Sequence, residues 1–299
     1  MIEVSFMPID IGDKNIQKIP HNLFVKLQAV YDSLKSAEKK AADLLLEEPV
    51  FFSNAIITEA AERAGCSEAT LTRLAKKLGY SGYPELKTHL DDAGEADKVQ
   101  LYGDITEDDS YDEVVSKVFN ASVQALTDTF SILDKEQYKS AVDYLSNAQR
   151  VIFIGVGDAA TVALSGYQKF MRINMNAYFS SDLDMQLVNI SHLAKNDVVI
   201  AISHSGKTKS TVEAVKLAKT VGAKVISITN FPVSPLTKNS DVVLLTAVFT
   251  QHIKGEVMAK RVTELCLLES LFVNLLLKNR LEFTESIDRS NKALEINKL

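Results

Sequence analysis

The chain has 299 residues, 46% of them hydrophobic and 24% charged, a length that fits about two domains and a composition that excludes a disordered or fibrous protein. Its longest apolar runs, VIFIGV at 151–156, VVIAI at 198–202 and VVLLTAV at 242–248, fall far short of the ~20 residues a membrane helix needs, so no membrane is expected among its partners. The net charge of −6 argues against a nucleic-acid binder only until it is divided along the chain: residues 91–110 hold eight acids against Lys98 alone, more negative than the whole, which leaves the remainder close to neutral.

The opening MIEVSFMPIDIGDK has no basic segment followed by an apolar stretch and a small-residue cleavage site, and a cytoplasmic protein is expected. Cys66 and Cys266 stand far apart in unrelated neighbourhoods, which gives neither a disulfide framework nor metal-ligand spacing. Both are expected to be reduced, half-buried structural thiols, and neither a metal nor a cofactor is called for.

Residues 21–47 carry Leu23, Val25, Leu27, Val30, Leu34, Ala37, Ala41, Leu44 and Leu45 mostly at three- and four-residue spacing, broken near Ser36, where SAEK offers an N-cap followed by helix formers. Two short helices are predicted there. In ITEAAERAG, Thr58 is expected to cap a helix with Ala60, Ala61 and Ala64 inward and an end at Gly65. In CSEATLTRLAKKLGYSGYPELKTHL, Ser67 caps a helix with Leu71, Leu74, Ala75 and Leu78 inward, ended by Gly79. Helix, Gly-containing turn, helix is a helix-turn-helix pattern. The outward face of the second helix is read as Thr70, Thr72, Arg73, Lys76 and Lys77, with hydrogen-bonding groups where such a helix meets base edges and cations where phosphates lie. A plain solvated helical hairpin with a basic face fits the same spacing.

YDSLKSAEKKAADLLLEEP followed by ITEAAERAGCSEATLTRLAKKLGYSGYPELKTHL resembles the N-terminal domain of RpiR-type bacterial transcription regulators over about residues 22–90. The resemblance implies binding to double-stranded operator DNA, with Ser67, Thr70, Thr72, Arg73, Lys76 and Lys77 as the candidate contacts. One recognition helix covers only a few base pairs, so a homodimer or higher homo-oligomer on an inverted repeat is expected. The chain is accordingly divided into an all-α helix-turn-helix domain (1–90), an acidic linker (91–110) and a further domain (111–299).

Residues 111–147 read as helical, with Val114, Val115, Val118, Phe119, Val123 and Leu126 on one apolar stripe that suits either a core or a dimer interface. From Arg150 onward, β-branched runs (VIFIGVG, DVVIAIS, KVISIT, VVLLTAV) alternate with helical stretches, among them one with Val162, Ala163, Tyr167, Phe170 and Met171 inward. A short AYFS strand is predicted at 177–180, before the helix in DLDMQLVNISHL. Strands without apolar/polar alternation, separated by helices, predict an α/β three-layer domain with a parallel sheet, whose ligands bind at the carboxyl ends of the strands.

Two turns fall at those ends. Gly155-Val156-Gly157-Asp158 lets backbone approach a ligand, but lacks the third glycine of a dinucleotide fingerprint. Ser203-His204-Ser205-Gly206-Lys207-Thr208 follows a strand and opens a helix. Its three hydroxyls, glycine and helix N-terminus make a phosphate cradle, although a turn that merely caps the helix has the same composition. GVGDAATVALSGYQKFMRIN, DVVIAISHSGKTKSTVEAVKLAKTVGAKVISITN, SPLTKNSDVVL and AKRVTELCLLESLF resemble successive pieces of a sugar-isomerase (SIS) domain over about 130–278, with the S-x-S-G-x-T motif intact. The resemblance implies a sugar-phosphate effector held by Gly155, Gly157, Asp158, Ser203, Ser205, Gly206, Lys207 and Thr208. Two departures stand out. Ala159 replaces a Ser the family usually has, and Asp184 falls where a ligand-contacting His is common, so an acidic group near the ligand would suit an amino sugar or added hydroxyl bonds.

SIS domains also occur in aldose-ketose isomerases, which need a base beside a carbonyl. His204, His252, Glu256 and Glu264 are the candidates. Glu256, Lys260 and Glu264 recur at four-residue spacing, which equally describes a solvated, salt-bridged face. A fused helix-turn-helix would be unexplained baggage on a metabolic isomerase, so the first reading is a transcription factor with a sugar-phosphate sensor and no catalytic residues, and a phosphosugar aldose-ketose isomerase with a fused helical domain is the alternative. The helix over 256–278, with Leu265, Leu268, Leu271, Phe272, Leu275 and Leu276 at helical spacing, suits core or dimer interface, and 279–299 suggests a terminal helix or tail.

Overall fold

A computed structural model describes residues 19–31, 33–91, 105–248, 259–278 and 280–297. The first residues, most of the acidic segment, and the candidate bases His252 and Glu256 lie outside the described residues. Two compact units divide the chain, Met1–Gly103 and Asp104–Leu299.

The first unit is helical: α1 (His21–Tyr31), α2 (Ser36–Glu47), α3 (Pro49–Asn54), α4 (Ile57–Ala64), α5 (Glu68–Lys77) and α6 (Tyr83–Asp91). Leu23, Leu27, Leu45, Phe52, Leu71, Leu74, Leu78 and Leu86 meet in its core, each essentially without exposure. Two helix starts differ from the sequence reading. The cap positions are Lys35 and Ile56, not Ser36 and Thr58, because the Glu38 and Glu59 carboxylates accept the Lys35 and Ile56 amides at 2.8 and 3.1 Å. A glutamate one turn inside thus does the work expected of a hydroxyl. The chain leaves α4 through left-handed Gly65, as its sequence predicts. Helix α3, opened by Pro49, has no counterpart in the sequence reading. It is held by α6, whose Tyr83 hydroxyl donates to the carbonyls of Phe52 and Ala55 at 3.0 and 3.1 Å.

The second unit begins with α7 (Tyr111–Ser131), capped by Ser110, and α8 (Lys135–Ser146), capped by Asp134. There follow β1 (Val151–Ile154), α9 (Asp158–Arg172), β2 (Ala177–Phe179), α10 (Leu183–Ser191), β3 (Val198–Ile202), α11 (Lys209–Thr220), β4 (Lys224–Thr229), β5 (Val242–Leu245), α12 (Lys260–Lys278) and α13 (Arg280–Leu294). All five strands are parallel in the order β2-β1-β3-β4-β5. Period-two alternation splits their side chains between two cores. Val151, Phe153, Ile200, Ile202, Ile226 and Ile228 pack with α8, α9 and α12, whereas Ile152, Ile154, Val199 and Val225 pack with α10 and α11. The result is the expected three-layer domain. Helix α9 lies close on the sheet at Gly166, where an added Cβ would stand 2.6 Å from the Phe153 ring.

Two burial assignments, of Met171 and Cys266, are corrected. Met171 is 52% exposed, because it falls one residue past Phe170 and off the stripe that meets the sheet. On α7, Val115, Phe119 and Val123 face outward within the chain. Cys66 is half-buried but Cys266 is exposed. No described helix is long and apolar enough to cross a membrane.

Candidate functional site

The chain runs from β1 out to β2 and returns across the sheet to β3, so direction reverses between β1 and β3. A crevice opens at the carboxyl ends of such a strand pair. Ile154 pairs with Ala201, and the Gly155–Asp158 and Ser203–Thr208 turns therefore emerge side by side.

The second turn is tied down from beneath. Thr229 Oγ1 and the Asn230 amide donate to the His204 carbonyl at 3.1 and 3.0 Å, and the Leu236 amide donates to the Gly206 carbonyl at 3.1 Å. Gly206 has φ +62, and a Cβ there would meet Ser234 Oγ at 2.2 Å, so both conformation and space demand glycine. Ser203 is buried with its Oγ 3.2 Å from Thr208 Oγ1, and Ser205 Oγ accepts the Lys207 amide at 3.2 Å. Thr208 occupies the cap position of α11, yet its hydroxyl accepts no helix amide. The first-turn N–H groups of α11 are left without a side-chain acceptor. Helix α9 starts in the same way from Gly157, which has φ 63 and no side-chain cap.

Charge reaches this edge from α12. Lys260 Nζ lies 3.0 Å from Asp158 Oδ2, and Arg261 Nη1 lies 3.7 Å from Asp158 Oδ1. The Lys260 bond holds the Asp158 carboxyl below the usual range. The solvated face is corrected here for Lys260 and Glu264: Lys260 turns to Asp158, and Glu264 is 1% exposed with Oε1 unpartnered. Burial raises the Glu264 carboxyl to about 7, against the lowering pull of Lys260. His204 packs edge-on to Phe231, and burial lowers its imidazole to about 4, so it is neutral near pH 7. Lys207 is exposed on the turn itself. Asp184 is exposed in the first turn of α10 and makes no hydrogen bond or ion pair with the described residues. Its neighbour Gln186 is buried instead, with Nε2 donating to the Ser180 and Gly155 carbonyls at 2.9 and 3.4 Å.

In the first unit, Ser67 Oγ accepts the Thr70 amide at the start of α5. Thr70 is corrected from outward to buried: it is 2% exposed, its hydroxyl meets Ser67 Oγ at 2.9 Å, and Arg73 Nη2 donates to it at 3.0 Å. Thr72 is half-buried and donates back to the Glu68 carbonyl. Arg73 and Lys76 are exposed. Lys77 Nζ is engaged by Glu38, 2.7 Å away and 3% exposed. Glu38 went unnoticed in the sequence because its partner is 39 residues distant.

The helix-turn-helix domain model of the rpiR family matches residues 21–96, and the SIS domain model matches residues 144–274. A helix-turn-helix transcriptional regulator of Thermotoga maritima is 34% identical over 84% of this chain and 90% of its own length. The chain belongs to the RpiR family of transcriptional regulators. Among relatives of this RpiR-family regulator, HexR of Escherichia coli is 28% identical over 92% of this chain and 94% of that protein. The solved structure of Vibrio vulnificus NanR complexed with ManNAc-6P shares the fold at a TM-score of 0.57, with 25% identity over 91% of this chain and 97% of that one.

Proposed function

We propose that this regulator binds operator DNA through α5 and senses a sugar phosphate at the β1/β3 crevice. The observation that carries the sensor reading is the pair of adjacent helix N-termini, of α9 and α11, that no side chain caps. Such ends attract a phosphate dianion, and charge-assisted bonds from Ser205, Thr208 and free backbone amides are about twice as strong as neutral ones. That NanR was solved with a sugar phosphate supports the reading. A regulator rather than an isomerase is favoured by the names of relatives spanning most of the chain.

A screen of hexose, pentose and amino-sugar phosphates by thermal shift tests it. A ligand that binds only the folded state stabilises by roughly 2.7 kcal/mol at about 100 times its dissociation constant. Ser205→Ala together with Thr208→Ala is expected to remove the shift and leave operator binding unchanged. Shifts of equal size in wild type and variant would refute the cradle, and turnover of a sugar phosphate above background would restore the isomerase alternative.

On the DNA side, Ser67, Arg73, Lys76 and Lys77 are exposed at α5, and Lys77 is paired with Glu38. Arg73→Ala is expected to weaken specific binding by about 1–3 kcal/mol, and Lys76→Ala to reduce the salt dependence of all binding. Lys77→Ala acts differently: it strips the buried Glu38 of its cation and lowers the melting temperature of the first unit. Electrophoretic titrations at several salt concentrations, paired with melting curves, separate these outcomes. A dimer or higher oligomer on an inverted repeat completes the proposal, supported by the outward apolar stripe of Val115, Phe119 and Val123. Footprinting that showed one half-site occupied by a monomer would contradict it.

A further inference from the structure

Helix α12 runs parallel to α9, as its contacts along the pair show: Lys260 meets Asp158, Leu268 lies against Gly166, Glu269 pairs with Lys169, and Phe272 stacks near Phe170. Glu264 thus falls one turn inside the α12 start, level with the first turns of α9. Side chains lean toward the N-terminus of their helix, so its carboxyl leans toward the crevice. Glu264 senses both Asp158 and Lys260 electrostatically, and His204 of the other turn also senses Lys260. Lys260 of α12 thus bonds the turn after β1 and lies within electrostatic reach of the turn after β3.

A buried carboxyl with an unpartnered oxygen costs stability unless something hydrogen-bonds it. Asp158 takes the neighbouring cation, and no described donor bonds Glu264. We infer that Glu264 faces the sugar of the effector and, as a carboxylate, accepts a hydrogen bond from one of its hydroxyls, fixing which polyhydroxy phosphate the cradle retains. The inference rests on the sensor reading above and adds the half of the site that grips the sugar rather than its phosphate. Glu264 is then a specificity-determining residue that takes no part in holding phosphate.

The groups facing it divide cleanly by charge state. Among the described residues, Asp158 on α9 is held ionised beside Lys260 and Arg261 of α12, His204 is neutral above about pH 4, and α7, which packs on α12, carries Asp128, to which Gln124 donates. Glu264 is the group in this set that titrates near pH 7. A hydroxyl donor favours the carboxylate, so sugar-phosphate affinity rises with pH through that region. The phosphate's own second ionisation adds a rise in the same direction, and Glu264→Gln, which keeps the shape, isolates the part due to the carboxyl.

The experiment is calorimetric titration of the full chain and of Glu264→Gln at pH 6 and pH 8. The probes are inorganic phosphate and the sugar phosphate with the largest thermal shift among glucose 6-phosphate, fructose 6-phosphate, N-acetylmannosamine 6-phosphate and ribose 5-phosphate. Expected are unchanged phosphate binding, about a tenfold loss for the sugar phosphate at pH 8, and a smaller loss at pH 6, since hydrogen bonds to charged groups exceed neutral ones by about that factor. A misfolded variant would lose both probes, and Glu264→Met then serves as the second substitution; loss of phosphate binding there too would make Glu264 structural and overturn the assignment. Equal sugar-phosphate affinity in wild type and Glu264→Gln, or a loss that shrinks as pH rises, also overturns it. If neither phosphate nor any sugar phosphate binds the wild type, the sensor reading falls and this inference falls with it.

Discussion

Gly206→Ala is expected to abolish the thermal response to sugar phosphate and to destabilise the second unit by about 2–5 kcal/mol, from a positive-φ cost of about 1–2 and an overpacking cost of about 1–3. The new methyl would meet Ser234 Oγ at 2.2 Å and Ser234 Cβ at 2.6 Å. Ser234 cannot step aside, because it is buried and its Oγ accepts the Thr237 amide at 3.2 Å. The turn must therefore move, carrying Ser205 and the start of α11 with it. A melting curve with and without sugar phosphate reads both effects, and operator binding serves as the control that the first unit is intact. An unaltered ligand response would mean that the cradle does not depend on this turn.

Leu74→Ala is expected to destabilise the first unit by about 2–5 kcal/mol, the usual cost of emptying a fully buried leucine site, and to abolish operator binding. Leu74 has no exposure and anchors the middle of α5 against the core shared with α2 and α4. The loss is a large fraction of the stability that a small domain possesses. Sugar-phosphate binding should persist, since its determinants lie in the other unit. Chemical denaturation followed by helical signal, together with calorimetry on the same sample, checks both halves of the expectation.

Strands β1 and β3 were legible because each is buried on both faces and reads as an unbroken apolar run, and Ser203, Ser205, Gly206 and Thr208 were legible because a turn is local. What escaped depends on pairing across distance. Nothing near Lys260 in sequence announces Asp158, and the four-residue rhythm with Glu264 pointed to a solvated face because charge at helical spacing is normally outside. Thr70 was misplaced for a different reason. It stands four residues before Leu74 and so shares the flank of the buried stripe, but its hydroxyl suggested the surface; Ser67 and Arg73 satisfy that hydroxyl at 2.9 and 3.0 Å and allow it to be buried. Lys77, three residues after Leu74, lies on the same flank and finds Glu38. The missed α3 is short, and its closure relies on Tyr83 from a later helix.

The order in which the chain is made bears on the contact between Lys278 and Asp143, 135 residues apart. In the helical unit, every element is in place once α6 has been synthesised. The sheet unit cannot lock until α12 arrives to cover the layer built on α8 and α9. At about 5–20 residues per second of synthesis, the interval between these points is roughly 10–40 s, and the many non-local pairings of a parallel sheet slow closure further. Each newly made regulator thus passes through a period in which its helix-turn-helix unit is complete while its sheet unit is not. On the function proposed above, that delay is the shortest time before an effector could act on a newly made chain.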